Sequence, residues 1–538
     1  MAVVLATGTS CASGADTTGG GVRSSTPAPG GSLTFALNQE PQCLDPHATG
    51  QSATSVVVRP VVDSLVLLDG SGRLRPWLAE SWSTSADQLT YTFRLRTGVT
   101  FHDGTAFDAA AVKANLDHIV DPRTKSLGAA GFLAPYYRST EVVDRTTVRV
   151  RLTQPYASLL LQLSTANFGM QSPASLNRDP ADVCTRVVGS GPFMMAEDWR
   201  RGQGVDLRRN PAYQWAPEGV SHQGPAYLEA VRIKLITQDS VRVGALTSGQ
   251  VDAIARVPAV LAKQVEGTGR LRLQRVDAPG QNYSLFPNTK SAVFSDRRVR
   301  EAFRAGVNWR EIVDNLFAGV YTVAVGPLSP TTRFVAPPAD TAVPYAPDLA
   351  ARLLDEAGWT GRDDAGYRTK EGRRLTVRWT MVKAAESAEN IALGEQVQAE
   401  VKKLGIDLQI VDLPISQVIP NAQNGTYDVM STGFAGLDAD VMRKLFGSAG
   451  IAVPGRMGSN IAKYSAPEVD EALAAAQRTT DEQRRAELYR QVQQQIVRDA
   501  VAFPVYTSGY LLGVSATVDG ITFDAEATPN FYGAWRVR

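Results

Sequence analysis

The chain has 538 residues, 43% of them hydrophobic and 20% charged, with a formal net charge of +1 at neutral pH. That length exceeds what one core fills and predicts two or three domains with the composition of an ordinary soluble globular protein. The charge balance gives no electrostatic case for nucleic acid, and no apolar stretch approaches the ~20 residues of a membrane span.

The chain opens on a short apolar run that ends in Gly8-Thr9-Ser10 before Cys11, followed by a tract of Gly, Ser, Thr, Ala and Pro up to Gly31. Small residues before a cysteine suit a lipoprotein signal, although a basic n-region is missing and Gly8 stands where Leu is usual. A truncated n-region or an incidental cysteine are the alternatives. Residues 12–31 carry almost no large apolar side chain and cannot offset their ordering entropy, so they read as a tether. Only two further cysteines occur, Cys43 and Cys184. An exported chain, lipid-tethered at Cys11 and stapled by one disulfide, would use all three thiols.

Alternation predicts a first strand over Ser32–Leu37, and the prolines of Glu40–Pro46 then turn the chain. A helix is expected over Ser55–Leu67, strands over Leu89–Arg96 and Thr147–Leu152, and an amphipathic helix over Asp108–Ile119. Val231–Ile236 reads as a strand, Ser240–Ser248 as a helix stopped by Gly249, and Val251–Ile254 as a strand. Helices follow at Arg297–Val307, Trp309–Phe317, Leu349–Ala357 and Ser387–Leu404. The last two end on Gly358 and Gly405, which suit left-handed caps. Thr376–Thr380 and Ile406–Val411 are flanking strands, Glu468–Arg498 holds two helices, and Ala502–Tyr506 is a buried strand. The pattern is mixed α/β without a repeat.

The chemistry of an enzyme is not legible. The four histidines, His47, His102, His118 and His222, show no metal-ligand spacing, and no H-E-x-x-H or C-x-x-C occurs. There is no nucleophile elbow and no phosphate-cradling loop. His102-Asp103 with Ser64 or Ser81 is the one imaginable hydrolytic set, and such residues abound in any chain of this size. These absences favour a binding protein, with no cofactor and no metal expected.

Several ordered segments carry a resemblance. Arg75-Pro-Trp-Leu-Ala-Glu-Ser-Trp82, Tyr91–Gly104, Phe107–Val112, Val188–Phe193, Leu207–Tyr213, Ala245–Asp252, Arg297–Phe303, Leu353–Trp359 and Arg485–Pro504 together resemble the extracytoplasmic solute-binding proteins of the peptide/nickel class (family 5) of ABC importers. Most of these segments also have a plain structural reading: Trp77 and Trp82 as core anchors, His102-Asp103-Gly104 as a turn.

The resemblance implies an α/β, two-lobed periplasmic-binding-protein-like fold with a hinge and an extra small α/β domain inserted in the first lobe. It assigns 1–31 to signal remnant and tether, 32–58, 188–278 and 507–538 to lobe I, 59–187 to the inserted domain and 279–506 to lobe II. Cys43 and Cys184 then fall where the chain enters and leaves the inserted domain, and bridging them would pin it to lobe I. The expected function is capture of a peptide or peptide-like molecule between the lobes and delivery to a membrane permease. A metal chelate or an oligosaccharide is the alternative ligand, and a secreted hydrolase is disfavoured. The protein is expected to be exported and monomeric, and to touch the membrane only through its lipid.

Free-peptide binders of this family hold the ligand ammonium with an aspartate shortly after a Gly-Trp pair. Here Gly433-Phe434 takes that place, Leu437 stands where the aspartate would be, and Asp438 and Asp440 follow. A buried ammonium without a carboxylate would cost several kcal/mol. Either Asp438 or Asp440 replaces the missing group, or the ligand is no ordinary free-amino peptide. Gln39 and Glu40 at the end of the first strand, Tyr283 on an expected hinge strand and Phe434 as an apolar wall complete the candidate ligand contacts.

Overall fold

The computed structural model describes residues 26–126, 128–267, 269–383, 386–454 and 458–537. Cys11 lies outside the described residues. Two large sheets organise the molecule. The first has seven strands in the spatial order 271–277, 509–515, 253–254, 32–37, 230–235, 205–209 and 193–195. Its centre is parallel: Ser32–Leu37 pairs with Ala230–Leu235 on one side and Ala253–Ile254 on the other. Leu33, Phe35 and Leu37 enter one core while Ala36 enters another, so this strand is buried on both faces, as parallel strands require.

The second sheet has five strands, ordered 407–412, 376–381, 429–435, 280–287 and 503–506. Thr376–Met381 runs parallel to Asp407–Asp412 and Val429–Ala435, and Gly280–Pro287 runs antiparallel to Val429–Ala435 and Phe503–Tyr506. The chain passes between the two sheets at 278–279 and again at 507–508. These crossings lie side by side, the Ala278 N–H donating to the Ser508 carbonyl at 2.9 Å. Two adjacent crossings form the hinge of a two-lobed molecule.

A third, antiparallel sheet (79–84, 90–95, 147–152, 137–144) packs against the helix Ala109–Val120. Asp108 caps that helix, its carboxylate accepting from the Ala111 N–H. Tyr91, Phe93 and Val148 of this sheet share one continuous core with Leu33 and Phe35 of the first lobe. Cys43 and Cys184, 141 residues apart, face each other beside it with Cα atoms 4.5 Å apart.

Most predicted elements are present within a residue or two, and Gly358 and Gly405 take φ of +86° and +84°. The helix expected over Ser55–Leu67 is a correction: it covers only Ser52–Val58, and Val66–Leu68 is a strand. Pro60 lacks the N–H a continuing helix needs. The Pro60 and Val61 carbonyls instead accept from Phe193 and Gly191 at 3.0 and 2.9 Å. The strand expected over Val251–Ile254 is likewise shorter, Ala253–Ile254. Among the described residues no helix is long and apolar enough to cross a membrane.

Candidate functional site

Between the lobes lies a cavity of about 260 Å³, next to the hinge. The first lobe contributes Ser52, Arg256, Tyr510, Glu526 and Thr528, and the second contributes Gln281, Tyr283, Gly433 and Phe434. A larger cavity of about 400 Å³ lies around Arg304, Trp309 and Tyr345, entirely within the second lobe. The interlobe cavity is the better candidate because closure of a two-lobed protein buries a ligand there from both sides.

Arg256 follows the strand Ala253–Ile254 by two residues, and its backbone is left-handed at φ +46°. Such a conformation is uncommon away from glycine and is held here by a buried neighbour. The Arg242 guanidinium, 1% exposed, donates to the carbonyls of Ala255 at 3.0 Å and Arg256 at 3.1 Å. The bend sends the Arg256 side chain over the Tyr510 ring, 4.9 Å from its centroid, and within 3.2 Å of the Ser52 hydroxyl. Arg256 is exposed and has no ion-pair partner among the described residues.

Glu526 sits in a tight turn in which the Asp524 carboxylate accepts from the N–H groups of Glu526 and Thr528, both at 2.9 Å. It too lacks an ion-pair partner among the described residues. Burial pushes its carboxyl up to about 8, the neighbouring Asp524 pushes the same way, and Arg59 and the Ala166 backbone N–H oppose both. Two residues of the cavity wall each hold a buried polar atom without a hydrogen-bond partner, the Gln281 Oε1 and the Tyr510 hydroxyl, both shut off from the cavity itself.

Of the residues singled out from sequence, Tyr283 and Phe434 line this cavity. Tyr283 is 6% exposed, stacks on Tyr506 with centroids 4.8 Å apart, and donates to the Ser431 hydroxyl at 3.0 Å. Gln39 is exposed outside the cavity, and the Glu40 carboxylate accepts from the Gly202 N–H in its own lobe. Leu437 packs with Leu68 and Leu161 in a small apolar cluster beside the cavity.

Asp438 and Asp440 do not line the cavity. Asp438, 3% exposed, pairs with Arg485 at 2.9 Å and accepts from the Ser158 hydroxyl at 2.8 Å. Asp440 pairs with Arg443 at 3.1 Å, while burial raises its pKa. Both carboxylates are thus already partnered by arginines inside the protein. Nor does a hydrolytic triad assemble: His102 Nε2 meets the Gly191 carbonyl, Asp103 holds Ser172 and Thr105, and the Ser64 hydroxyl donates to the Thr165 carbonyl.

Residues 73–450 match the family of bacterial extracellular solute-binding proteins, family 5 (middle part), in keeping with two lobes around a hinge and a cavity between them. The chain belongs to that family. It is the solute-binding component of an ABC importer and not an enzyme, and it works on the extracytoplasmic side of the membrane. Among its relatives, the glutathione-binding protein GsiB of Salmonella paratyphi A is 28% identical over 502 residues, 91% of each chain. NikA from Brucella suis, solved with Fe(III)-EDTA, superposes with a TM-score of 0.79 at 26% identity, over 93% of this chain and 98% of its own. DppA from Helicobacter pylori, solved with the peptide STSA, shares the fold with a TM-score of 0.77 at 23% identity, over 95% and 99% of the two chains.

Sequence reading passed over Arg256, Tyr510 and Glu526 in this binding protein. Arg256 carried a usable signal, since ligands of α/β sheets gather outside the carboxyl ends of parallel strands. Glu526 carried only a polar Asp-Ala-Glu-Ala-Thr turn, which says nothing about a partner.

Proposed function

We propose that this importer subunit captures a small zwitterionic peptide or peptide-like molecule of about di- or tripeptide size. The observation that carries the reading is one interlobe cavity lined by a guanidinium and a carboxyl that have no ion-pair partner among the described residues. Arg256 suits a ligand carboxylate and Glu526 a ligand ammonium. The volume of about 260 Å³ falls just below the roughly 300–1,000 Å³ of typical ligand sites and speaks against a long peptide. The relative named for glutathione, itself a small anionic peptide, agrees with this class.

Isothermal titration with di- and tripeptides, glutathione, and their N-acetylated and C-amidated forms tests the reading. Blocking either terminus is expected to weaken binding about 10–100-fold, the worth of one charge-assisted hydrogen bond. Arg256→Ala is expected to remove the penalty for amidation and Glu526→Gln the penalty for acetylation. Preference for a metal chelate or a sugar, with no response to either blocked terminus, overturns it.

We further propose that lobe I is formed by 32–58, 188–278 and 507–538, the inserted domain by 59–187 and lobe II by 279–506. In the oxidising exterior the facing Cys43 and Cys184 form a disulfide. Cys11 carries the lipid that holds this otherwise monomeric protein at the outer face of the cytoplasmic membrane. Intact-mass analysis of the membrane-extracted protein, beside a Cys11→Ser variant, tests the anchor: the wild type carries added acyl mass and the variant is released.

A further inference from the structure

Away from the cleft, the segment after Cys43 meets the helix Ala109–Val120 and brings Asp45, His47 and His118 together. One ligand atom from each lies within 4.8 Å of the others. Asp45 is 3% exposed and His47 fully buried, while the His118 side chain is 16% exposed and opens the cluster to solvent.

The hydrogen bonds satisfy Asp45 but leave one imidazole nitrogen of the cluster without a donor. His47 Nε2 lies 2.9 Å from the Gly169 carbonyl, an acceptor, so that nitrogen carries the proton and Nδ1 presents a lone pair. The Nδ1 atom has no hydrogen-bond partner, and the atom it faces at 4.0 Å is Asp45 Oδ1, another acceptor. His118 Nε2–H donates to Asp45 Oδ2 at 2.9 Å, and the His47 backbone N–H donates to Asp45 Oδ1 at 3.0 Å. The Gln171 amide nitrogen donates to Asp45 Oδ1 at 2.9 Å, and its carbonyl oxygen is likewise buried without a partner. The His47 Nδ1 lone pair thus stands buried without a donor beside a carboxylate and a second imidazole.

We propose that Asp45, His47 and His118 bind a divalent transition-metal cation of the zinc class. Two imidazoles and one carboxylate are a donor set that zinc takes and that magnesium and calcium do not favour. The Gly169 carbonyl orients the His47 ring through its other nitrogen, as the outer hydrogen bond of a metal-bound histidine does. A tetrahedral ion with bonds of about 2.0–2.1 Å holds its ligands roughly 3.3 Å apart, so loading draws His47 Nδ1 in from 4.0 Å of Asp45 and releases to water the proton shared by His118 and Asp45. The ion joins the segment that carries Cys43 to the helix of the antiparallel unit, a second tie beside the facing cysteines.

The test uses the full chain, stripped with EDTA and titrated with Zn²⁺ or Co²⁺ alone. The wild type is expected to take up one ion per chain, to show the visible bands of a nitrogen- and oxygen-ligated Co²⁺, and to melt at a higher temperature with the ion than without it. His118→Gln, at the more exposed ligand, is expected to lower affinity at least about tenfold and to abolish the melting shift. His222→Gln, remote from the cluster in sequence, is expected to change neither. His47→Gln is a second variant, and if it fails to fold the cobalt spectrum of the wild type and the His118 variant still decide. No stoichiometric uptake by the wild type, or equal uptake by wild type and His118→Gln, overturns the proposal.

Discussion

Charges in this protein divide by whether another side chain already answers them. Asp438 is answered twice, by Arg485 and by Ser158, both buried. Asp438→Asn would leave the Arg485 guanidinium buried without its counter-charge, which costs roughly 3–5 kcal/mol. Denaturant unfolding should show that loss, with little change in ligand affinity. Glu526 is the opposite case. Burial and Asp524 hold its carboxyl up to about 8, so near neutrality the empty site binds a proton there. A ligand ammonium needs the carboxylate, and affinity for amino-bearing ligands should therefore rise with pH up to about 8 and level off above. The raised value also means that the folded state holds this proton more tightly than the unfolded state. Stability of the empty protein should fall with pH between the unfolded value near 4.5 and about 8, and Glu526→Gln should flatten that dependence. Thermal melts of both proteins across that range, without ligand, check the sign.

At the scale of elements, the strand that leaves the hinge begins on a tightly constrained piece of backbone. Gly280 takes φ +124°, and a Cβ there would stand 2.2 Å from the Phe434 carbonyl oxygen. Its N–H donates to the Thr332 hydroxyl, and its carbonyl accepts from the Ser329 N–H. Gly280→Ala should therefore cost about 1–3 kcal/mol in backbone strain and push the 434–435 segment away from its partner strand. Because Gln281, Tyr283 and Phe434 lie on those two strands, ligand affinity should fall together with stability. That joint loss, read by titration and denaturant unfolding, sets this variant apart from Asp438→Asn. The first helix shows the same logic in reverse: it stops at Val58 because the Pro60 and Val61 carbonyls serve the 191–193 strand entrance.

At the scale of the whole molecule, the antiparallel unit is not a free appendage. Its core is continuous with that of the first sheet, and Ser158 reaches the Asp438–Arg485 pair on the other side. The facing cysteines close a loop of 141 residues. A covalent bond there would stabilise by up to about 5 kcal/mol in the chain-entropy account. Replacing Cys43 and Cys184 with Ser should lower the denaturant midpoint accordingly. The shared core predicts that the variant still folds and binds ligand, which titration of the reduced or substituted protein would check.

Alternation, helical spacing, capping aspartates and stop glycines act over a few residues, so they were legible in the chain alone. Strand 32–37, helix 109–120 and the paired helices 467–477 and 482–498 follow from them. Family membership was legible too, because it rests on ordered runs of such residues. The candidate site was legible only in part. Tyr283 and Phe434 stand on strands that the pattern could place, and they line the cavity. Asp438 and Asp440 looked free because nothing local pairs with Asp438, whose arginine lies 47 residues away in sequence. Arg256 and Glu526 looked ordinary for the complementary reason. Asp45 and His118 meet across 73 residues. Whether a charge is spent or available depends on groups that only the folded chain brings within about 4 Å, where Coulomb energy and desolvation decide. The elements and the family were properties of the sequence, and the chemistry of the cleft was decided by tertiary structure.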